Sequence, residues 1–229
     1  MVRRLMLCYA VATAVCITGM ADSSSDRLIV PGKSVGPITG NSTRADLVRF
    51  FGAKYVEDDY VSSGGDANSQ MGTIVHRSKP NLELHVLWNE DKPERHVKLV
   101  VICPEEESNT ACAWHTAEGI TVGTTLKTLE KLNARPFRLM GIDWDYGGKI
   151  VSFNQGKLER LRPKCGGMTL QLEEGPGTPS EQRAAWIDEI SGDKEFWSSD
   201  PAMQGVNPAV QWMSISFEEC SKAQSRGPT

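Results

Sequence analysis

The chain lacks the features that would tie it to a membrane interior, a nucleic acid or a common enzyme class. No apolar run has the length and repetition of a polytopic membrane protein. There is no excess of positive charge, since 25 Lys and Arg stand against 29 Asp and Glu, a formal net charge of −4. Such a balance argues against partners with dense phosphate charge, so no nucleic acid is expected, and it suits anionic lipid surfaces equally poorly. No Gly-x-Ser-x-Gly elbow, His-Glu-x-x-His helix, phosphate-binding loop or dinucleotide fingerprint occurs. Hydrophobic residues at 39% and charged residues at 24% of the 229 still make an ordinary globular composition, which excludes a collagen-like or wholly disordered chain.

The N-terminus reads as an export signal. Arg3 and Arg4 form a positive start, and Leu5 to Ile17 is an apolar stretch of signal-peptide length. Gly19-Met20-Ala21 supplies small residues at the −3 and −1 positions, so cleavage is expected after Ala21. An uncleaved anchor is the competing reading, but the run is short for a bilayer span. Cys16 follows Ala14-Val15, a poor lipobox. Cleavage removes two cations and no acid, which takes the formal charge from −4 to −6. A periplasmic or secreted location is expected, with no stable membrane span after cleavage.

Cys8 and Cys16 leave with the signal, and Cys103, Cys112, Cys165 and Cys220 remain. Four cysteines in an exported chain read as two disulfides with three possible pairings. Cys103 with Cys112 is favoured, because the polar stretch between them looks like a loop joining extended segments. Cys165 with Cys220 would then tie the C-terminal strand to the body. A metal reading would take Cys103, Cys112 and His115, but that spacing fits no standard zinc pattern. No metal and no cofactor is expected.

An internal repeat appears at an offset of 82 residues. Ile38, Thr39, Thr43 and Leu47 recur as Ile120, Thr121, Thr125 and Leu129. Hydroxyl residues at Ser42-Thr43 and Thr124-Thr125 are placed to cap short helices. Leu47, Val48 and Phe51 then share one face, as do Leu126, Leu129 and Leu132. Gly52 is expected to end the first helix and Asn133 the second. After the first helix, Gly72 to His76, Leu82 to Trp88 and Val97 to Cys103 read as strands. After the second, Lys149 to Phe153, Lys157 to Leu161 and Met168 to Leu172 do, with Asn154-Gln155-Gly156 as a hairpin turn. Tyr55 to Gln70 reads as a mobile loop. The expected fold is α+β: two tandem helix–strand–strand–strand repeats form antiparallel sheet with helices on one face, plus a C-terminal helix and strand. The expected boundaries are a signal peptide at 1–21, a flexible start at 22–34, and repeats at 35–116 and 117–174. A C-terminal helix and strand follow at 175–220, packed on the second repeat, with Gly205 to Pro208 turn-like. A disordered tail closes the chain at 221–229.

Ile120-Thr121-Val122-Gly123-Thr124-Thr125, continued by Leu126 and Leu129, resembles the repeat motif of the beta-lactamase-inhibitor proteins and of the outer-membrane assembly lipoproteins of the SmpA/OmlA type. Ile38 to Gly52 is similar, with Asn41 in place of the motif glycine and Gly52 keeping the helix end. The resemblance implies a small exported module that binds other proteins across a sheet surface, and it carries over no catalytic residues. The extra C-terminal helix and strand and the absence of a lipobox depart from that pattern.

Asp143-Trp144-Asp145-Tyr146-Gly147-Gly148 is the most distinctive local cluster. Its aromatics suit an interface, where Trp and Tyr dominate the binding energy. Its carboxylates, Asp143 and Asp145, suit acid–base work. A structural reading makes the same segment an irregular approach to the strand at Lys149. Arg135, Arg138, Arg160 and Arg162 form a local basic patch, read as a solvated face or as a contact for an acidic partner. The histidines His76, His85, His96 and His115 are scattered, although His76 and His85 could meet across a hairpin. The expectation is a non-enzymatic binding module for a protein or envelope component. Trp144, Tyr146 and Arg138 are its contacts, and Trp88 is a further aromatic one. The alternative is a hydrolase of cell-wall or carbohydrate material using Asp143 and Asp145.

Overall fold

The computed structural model describes residues 24–64, 69–89, 96–104, 111–144, 146–162, 166–175 and 179–217. The two helices foreseen from the repeat start in the same way. At α1 (Arg44–Phe51), Thr43 stays extended and its hydroxyl accepts from the Asp46 amide, while the Asp46 carboxylate accepts from the Thr43 amide at 2.9 Å. This reciprocal pair satisfies two amides that the first helical turn leaves free. At α2 (Leu126–Asn133), the Thr125 hydroxyl accepts from the Thr128 amide at 3.3 Å. One residue earlier, Ser42 Oγ accepts from the Thr39 amide at 3.0 Å, and Thr124 Oγ1 accepts from the Thr121 amide at 2.9 Å. Ile38, Leu47, Ile120 and Leu129 are all fully buried. Burying a leucine or isoleucine contributes about 1.5–3 kcal/mol, so each short helix is held chiefly by its buried face.

The helix ends differ. Gly52 closes α1 with a φ of 88°, as expected. Asn133 does not close α2: it is the last helical residue and fully buried, and Ala134 takes the left-handed position at φ 61°.

Along the chain the first strands are β1 (Leu28–Val30), β2 (Ser34–Val35), β3 (Ile38–Thr39), β4 (Val56–Val61), β5 (Gln70–Val75), β6 (Leu84–Trp88) and β7 (Val97–Ile102). They continue as β8 (His115–Thr116), β9 (Arg138–Met140), β10 (Ile150–Ser152), β11 (Gly167–Glu173), β12 (Glu195–Trp197) and β13 (Ala209–Ser216). Two more helices, α3 (Glu181–Ile190) and α4 (Pro201–Val206), lie around β12. Among the described residues the fold is therefore mixed α+β, with thirteen strands in three sheets and four α-helices. The largest sheet is antiparallel, in the order β11-β13-β7-β6-β5-β4. A second has the order β3-β2-β1-β8, with β1 and β8 parallel, and a third the order β10-β9-β12.

Side chains alternate across the large sheet as the pleat requires. Val75, Leu84, Val86, Val100, Ile102, Met213 and Ile215 join the main core with the helix leucines. Val61, Ile74, Leu87 and Val101 form a separate cluster on the opposite face, with Leu99 and Trp212 against it. Gly64 packs there too, since a Cβ at that position would lie 2.9 Å from the Trp212 ring.

Several expectations change. Tyr55 to Gln70 is not simply a loop: β4 pairs with β5 along its whole length. Its carboxylates are held by cations, Arg44 on Asp58 at 2.8 Å and Arg77 on both Glu57 and Asp59. Lys157 to Leu161 is not a strand but a turn with a 3-10 segment at Glu159–Leu161. Asn154 and Gln155 are both left-handed, at φ 52° and 56°, so the chain turns here, but no second strand follows and the expected hairpin does not form. The chain then meets Asn133, whose carbonyl accepts from the Lys157 amide at 3.0 Å and whose Oδ1 accepts from the Leu158 amide at 3.1 Å. Two amides that would begin a ladder are thereby engaged elsewhere. Residues 28–30, expected in a flexible start, are β1. α4 takes in Gly205 and Val206, half of the expected turn at Gly205 to Pro208; it is started by Asp200 accepting from the Ala202 amide and by Pro201 in the first turn. β10 and β11 belong to different sheets, so the strands after α2 are not placed like those after α1.

The C-terminal part meets α2, and β13 pairs with both β11 and β7. Asn207 Oδ1 accepts from the Lys127 amide at 3.1 Å, and the Pro208 carbonyl accepts from the Leu126 amide at 2.7 Å. Cys103 and Cys112 form a disulfide with Cα atoms 6.0 Å apart, so these sulfurs are bonded to each other rather than set out with His115 as metal ligands. Cys165, Cys220, Asp145, residues 1–21 and the tail 221–229 lie outside the described residues. Among the described residues no helix is long and apolar enough to cross a membrane.

Candidate functional site

The segment after β9 is fixed by backbone bonds on both sides. The Gly141 amide donates to the Lys194 carbonyl and the Ile142 amide to the Ile190 carbonyl, at 2.8 and 3.0 Å. The Gly141 carbonyl accepts from the Gly148 amide at 2.8 Å and from the Trp144 indole at 3.0 Å. Gly148 has a φ of 65°, and a Cβ there would sit 1.6 Å from the Leu172 carbonyl oxygen. Only glycine permits that conformation and that approach together. The double glycine thus clamps the loop onto β11 and sets the direction of the residues before it.

Three of the singled-out side chains then cluster. Trp144 is half-buried, Tyr146 is 53% exposed, and their rings meet edge-on at 5.7 Å. Asp143 is exposed and left-handed at φ 64°, a conformation uncommon for a side-chain-bearing residue. Beside them is an open cleft of about 430 Å³. Ile142, Gly147, Gln171 and Ile187 line it, Trp144 adds an aromatic wall, and Asp143, Glu173 and Glu174 are its carboxylates. Glu174 is already paired with Arg183 at 3.0 Å. Arg183 itself is buried and also donates to the Val206 and Gly175 carbonyls, which ties α3 to the cleft edge.

The other expected contacts are placed elsewhere. Trp88 is buried and donates its indole N–H to Thr73 at 3.0 Å, so it offers no surface to a partner. Arg138 is exposed on β9, pairs with Glu195 at 2.5 Å and stacks over the Trp197 ring at 5.5 Å. Its aromatic neighbour is thus Trp197, which is 46% exposed and was not anticipated. The Glu195-Phe196-Trp197 alternation on β12 was the available signal. The remaining arginines of the basic patch are engaged separately, Arg160 by Glu118, Arg135 by the Asn154 carbonyl and Arg162 by the Val151 carbonyl.

The histidines do not form a pair. His85 Nε2 is 2.7 Å from Glu83 Oε1, and strand register places His85 opposite Ile74. His76 follows β5 with a φ of 61° and packs between Tyr55 and Phe51, with ring centroids 4.7 and 5.6 Å away. It lines a second pocket, of about 500 Å³, with Phe50, Phe51, Trp114 and Leu82. Its Nδ1 is sealed from solvent and has no hydrogen-bond partner among the described residues. Burial, reinforced by Lys79 and Arg27, holds this imidazole below the usual histidine pKa. No protein-family model matches the chain, and comparison with curated proteins and with solved structures likewise produced no match.

Proposed function

We propose that the protein is an exported, non-enzymatic binding module that engages a protein or envelope component through the Trp144–Tyr146 loop and its cleft. The observation that carries this reading is the edge-on aromatic pair, with the Trp144 indole bonded to the Gly141 carbonyl and more than half of Tyr146 in solvent. Rigid aromatics lose little freedom on binding and dominate interface energetics. Arg138 and Trp197 form a second exposed aromatic–cation unit on β9 and β12. Export is supported by the signal-like start and by the Cys103–Cys112 disulfide, a bond typical of oxidising compartments. The matching caps of α1 and α2 support a duplicated unit, akin to the inhibitor and assembly-lipoprotein repeat, whose strands have since diverged.

The test is a quantitative pull-down with oxidised mature chain, Asp22 to Thr229, against an envelope or secretome extract. Tyr146→Ser, which removes a mostly exposed ring, is the matched control, with Trp144→Ala/Tyr146→Ala as the stronger one. A partner enriched by the native bait, and at least about tenfold weaker with the Tyr146 variant, is the expected result. Equal capture by native and variant baits, or no enriched protein, would overturn the assignment. A second reading, hydrolysis of cell-wall or carbohydrate material with Asp143 and Asp145, draws on Asp143, which lines the same cleft. It requires turnover of a glycan substrate that Asp143→Asn abolishes.

A further inference from the structure

Five separate segments meet at the pocket beside His76. They are the 3-10 turn with Asp26 and Arg27, the turn with Gly36 and Pro37, the end of α1, the β5–β6 connection, and the segment carrying Trp114. Close packing closes such junctions unless something keeps them open. Here the walls are rigid rings: Trp114 donates its indole N–H to the Leu82 carbonyl at 3.1 Å, and Phe51 stands edge-on to His76. Gly36 has no room for a side chain, since a Cβ would lie 2.8 Å from the Trp114 ring. Phe50 is 39% exposed at the mouth.

Among the described residues His76 is the one imidazole on this lining, and its two nitrogens differ. Nδ1 is sealed and unpartnered. An orphaned N–H is costlier than an under-used acceptor. Nδ1 is therefore the bare nitrogen, and Nε2 carries the proton. Nε2 is neither sealed nor hydrogen-bonded within the described residues. It is a donor open to solvent on a residue that lines an aromatic cavity. Lys79 and Arg27 place positive potential on the ring, and Asp26 is an exposed carboxylate at the rim. Lys54 and Lys79 also lie over Tyr55, the ring against which His76 packs. The chemistry complementary to this pocket is an acceptor with negative charge attached to an apolar ring.

We propose that this pocket binds a small ring-bearing carboxylic acid, its ring among Phe50, Phe51 and Trp114 and its carboxylate accepting from His76 Nε2. The site is separate from the Trp144–Tyr146 cleft, so this assignment stands or falls without the one made there.

The probe is 2-naphthoate, compared with 2-naphthylmethanol and 2-naphthylmethylamine on the full oxidised chain, by calorimetry and amide chemical shifts. Naphthoate is expected to bind saturably and to shift Phe51, His76 and Trp114. The alcohol should bind at least about tenfold more weakly and the amine more weakly still. Asn tolerates the left-handed conformation, so His76→Asn should keep the fold and erase the preference for naphthoate. Phe50→Ser should weaken all three probes, and it tests the pocket should the His76 variant fail to fold. Equal affinity for the three probes, shifts confined to another surface, a preference retained in His76→Asn, or no saturable binding would each overturn the proposal.

Discussion

Replacing Asn133 should destabilise the protein more than any surface change near it, because one amide joins three stretches of backbone. Its Nδ2 donates to the Arg135 and Phe153 carbonyls at 2.8 and 2.9 Å, and its Oδ1 accepts from the Leu158 amide at 3.1 Å. The residue is fully buried, and Gly156 packs so closely that a Cβ there would be 2.0 Å from Oδ1. Three such bonds are worth about 1 kcal/mol each net. Asn133→Ala should therefore lose about 3 kcal/mol. With a urea slope of about 2 kcal/mol/M, the midpoint falls by about 1.5 M. Asn133→Asp keeps the shape but turns a donor into an oxygen facing two carbonyls. Burial and those carbonyls raise the new carboxyl above the unfolded value of about 3.9. The folded state then binds more protons than the unfolded state, so stability falls as pH rises through that window. Relative to the parent, the Asp variant should be least stable at neutral pH and recover towards about pH 4. The measurement is urea unfolding of the oxidised chain, followed by tryptophan fluorescence. An Asn133→Ala midpoint within about 0.2 M of the parent would refute this account of the network. So would an Asp variant whose relative stability ignores pH.

Ala134 occupies a left-handed position that costs a non-glycine residue about 1 kcal/mol. Ala134→Gly should accordingly raise the thermal midpoint, and a fall would show that the end of α2 is shaped by something other than that conformation. The Cys103–Cys112 bond spans nine positions, so a chain-entropy treatment gives it about 2.7 kcal/mol. Cys103→Ser/Cys112→Ser should lose about that amount by urea unfolding, and an unchanged midpoint would refute it. Burial raises the Asp58 carboxyl, but hydrogen bonds from Arg44 and Thr73 outweigh this and leave its pKa below the usual value. Its contribution is therefore present above the unfolded value of about 3.9 and lost as pH falls through the lower folded one. Arg44→Met should move the Asp58 carboxyl titration upward by NMR, and an unmoved midpoint would deny the pairing.

What was legible in the chain is what is written locally. A hydroxyl three residues before a free amide produces the same cap wherever it occurs, and so Ser42-Thr43 and Thr124-Thr125 were readable. Leu82 to Val86 and Thr169 to Leu172 alternate, and the strands Leu84–Trp88 and Gly167–Glu173 form over them. β4 was hidden because Glu57-Asp58-Asp59 breaks the alternation. Those charges become tolerable in a strand only once Arg44 and Arg77 arrive from elsewhere. α4 has six residues, too few to show a period, although Asp200-Pro201 is a recognisable start. The Lys157 segment failed as a strand for a non-local reason, since Asn133 engages its amides from 25 residues away.

The two pockets divide along the same line. The loop cleft was visible because Trp144, Tyr146 and the double glycine are neighbours in sequence. The His76 pocket was not, since its walls come from five segments and no pattern near His76 announces a left-handed imidazole. Trp88 shows the converse. Expected as a contact, it instead shares the buried face with Val86 and Leu84, two and four residues before it. The indole N–H then needed an internal acceptor, and Thr73, opposite Val86 on β5, supplies one. An aromatic in phase with core residues is thus a packing residue unless the pattern breaks. Tyr146 has no such phase to share: the double glycine interrupts the chain just beyond it, and there the ring is free to face solvent.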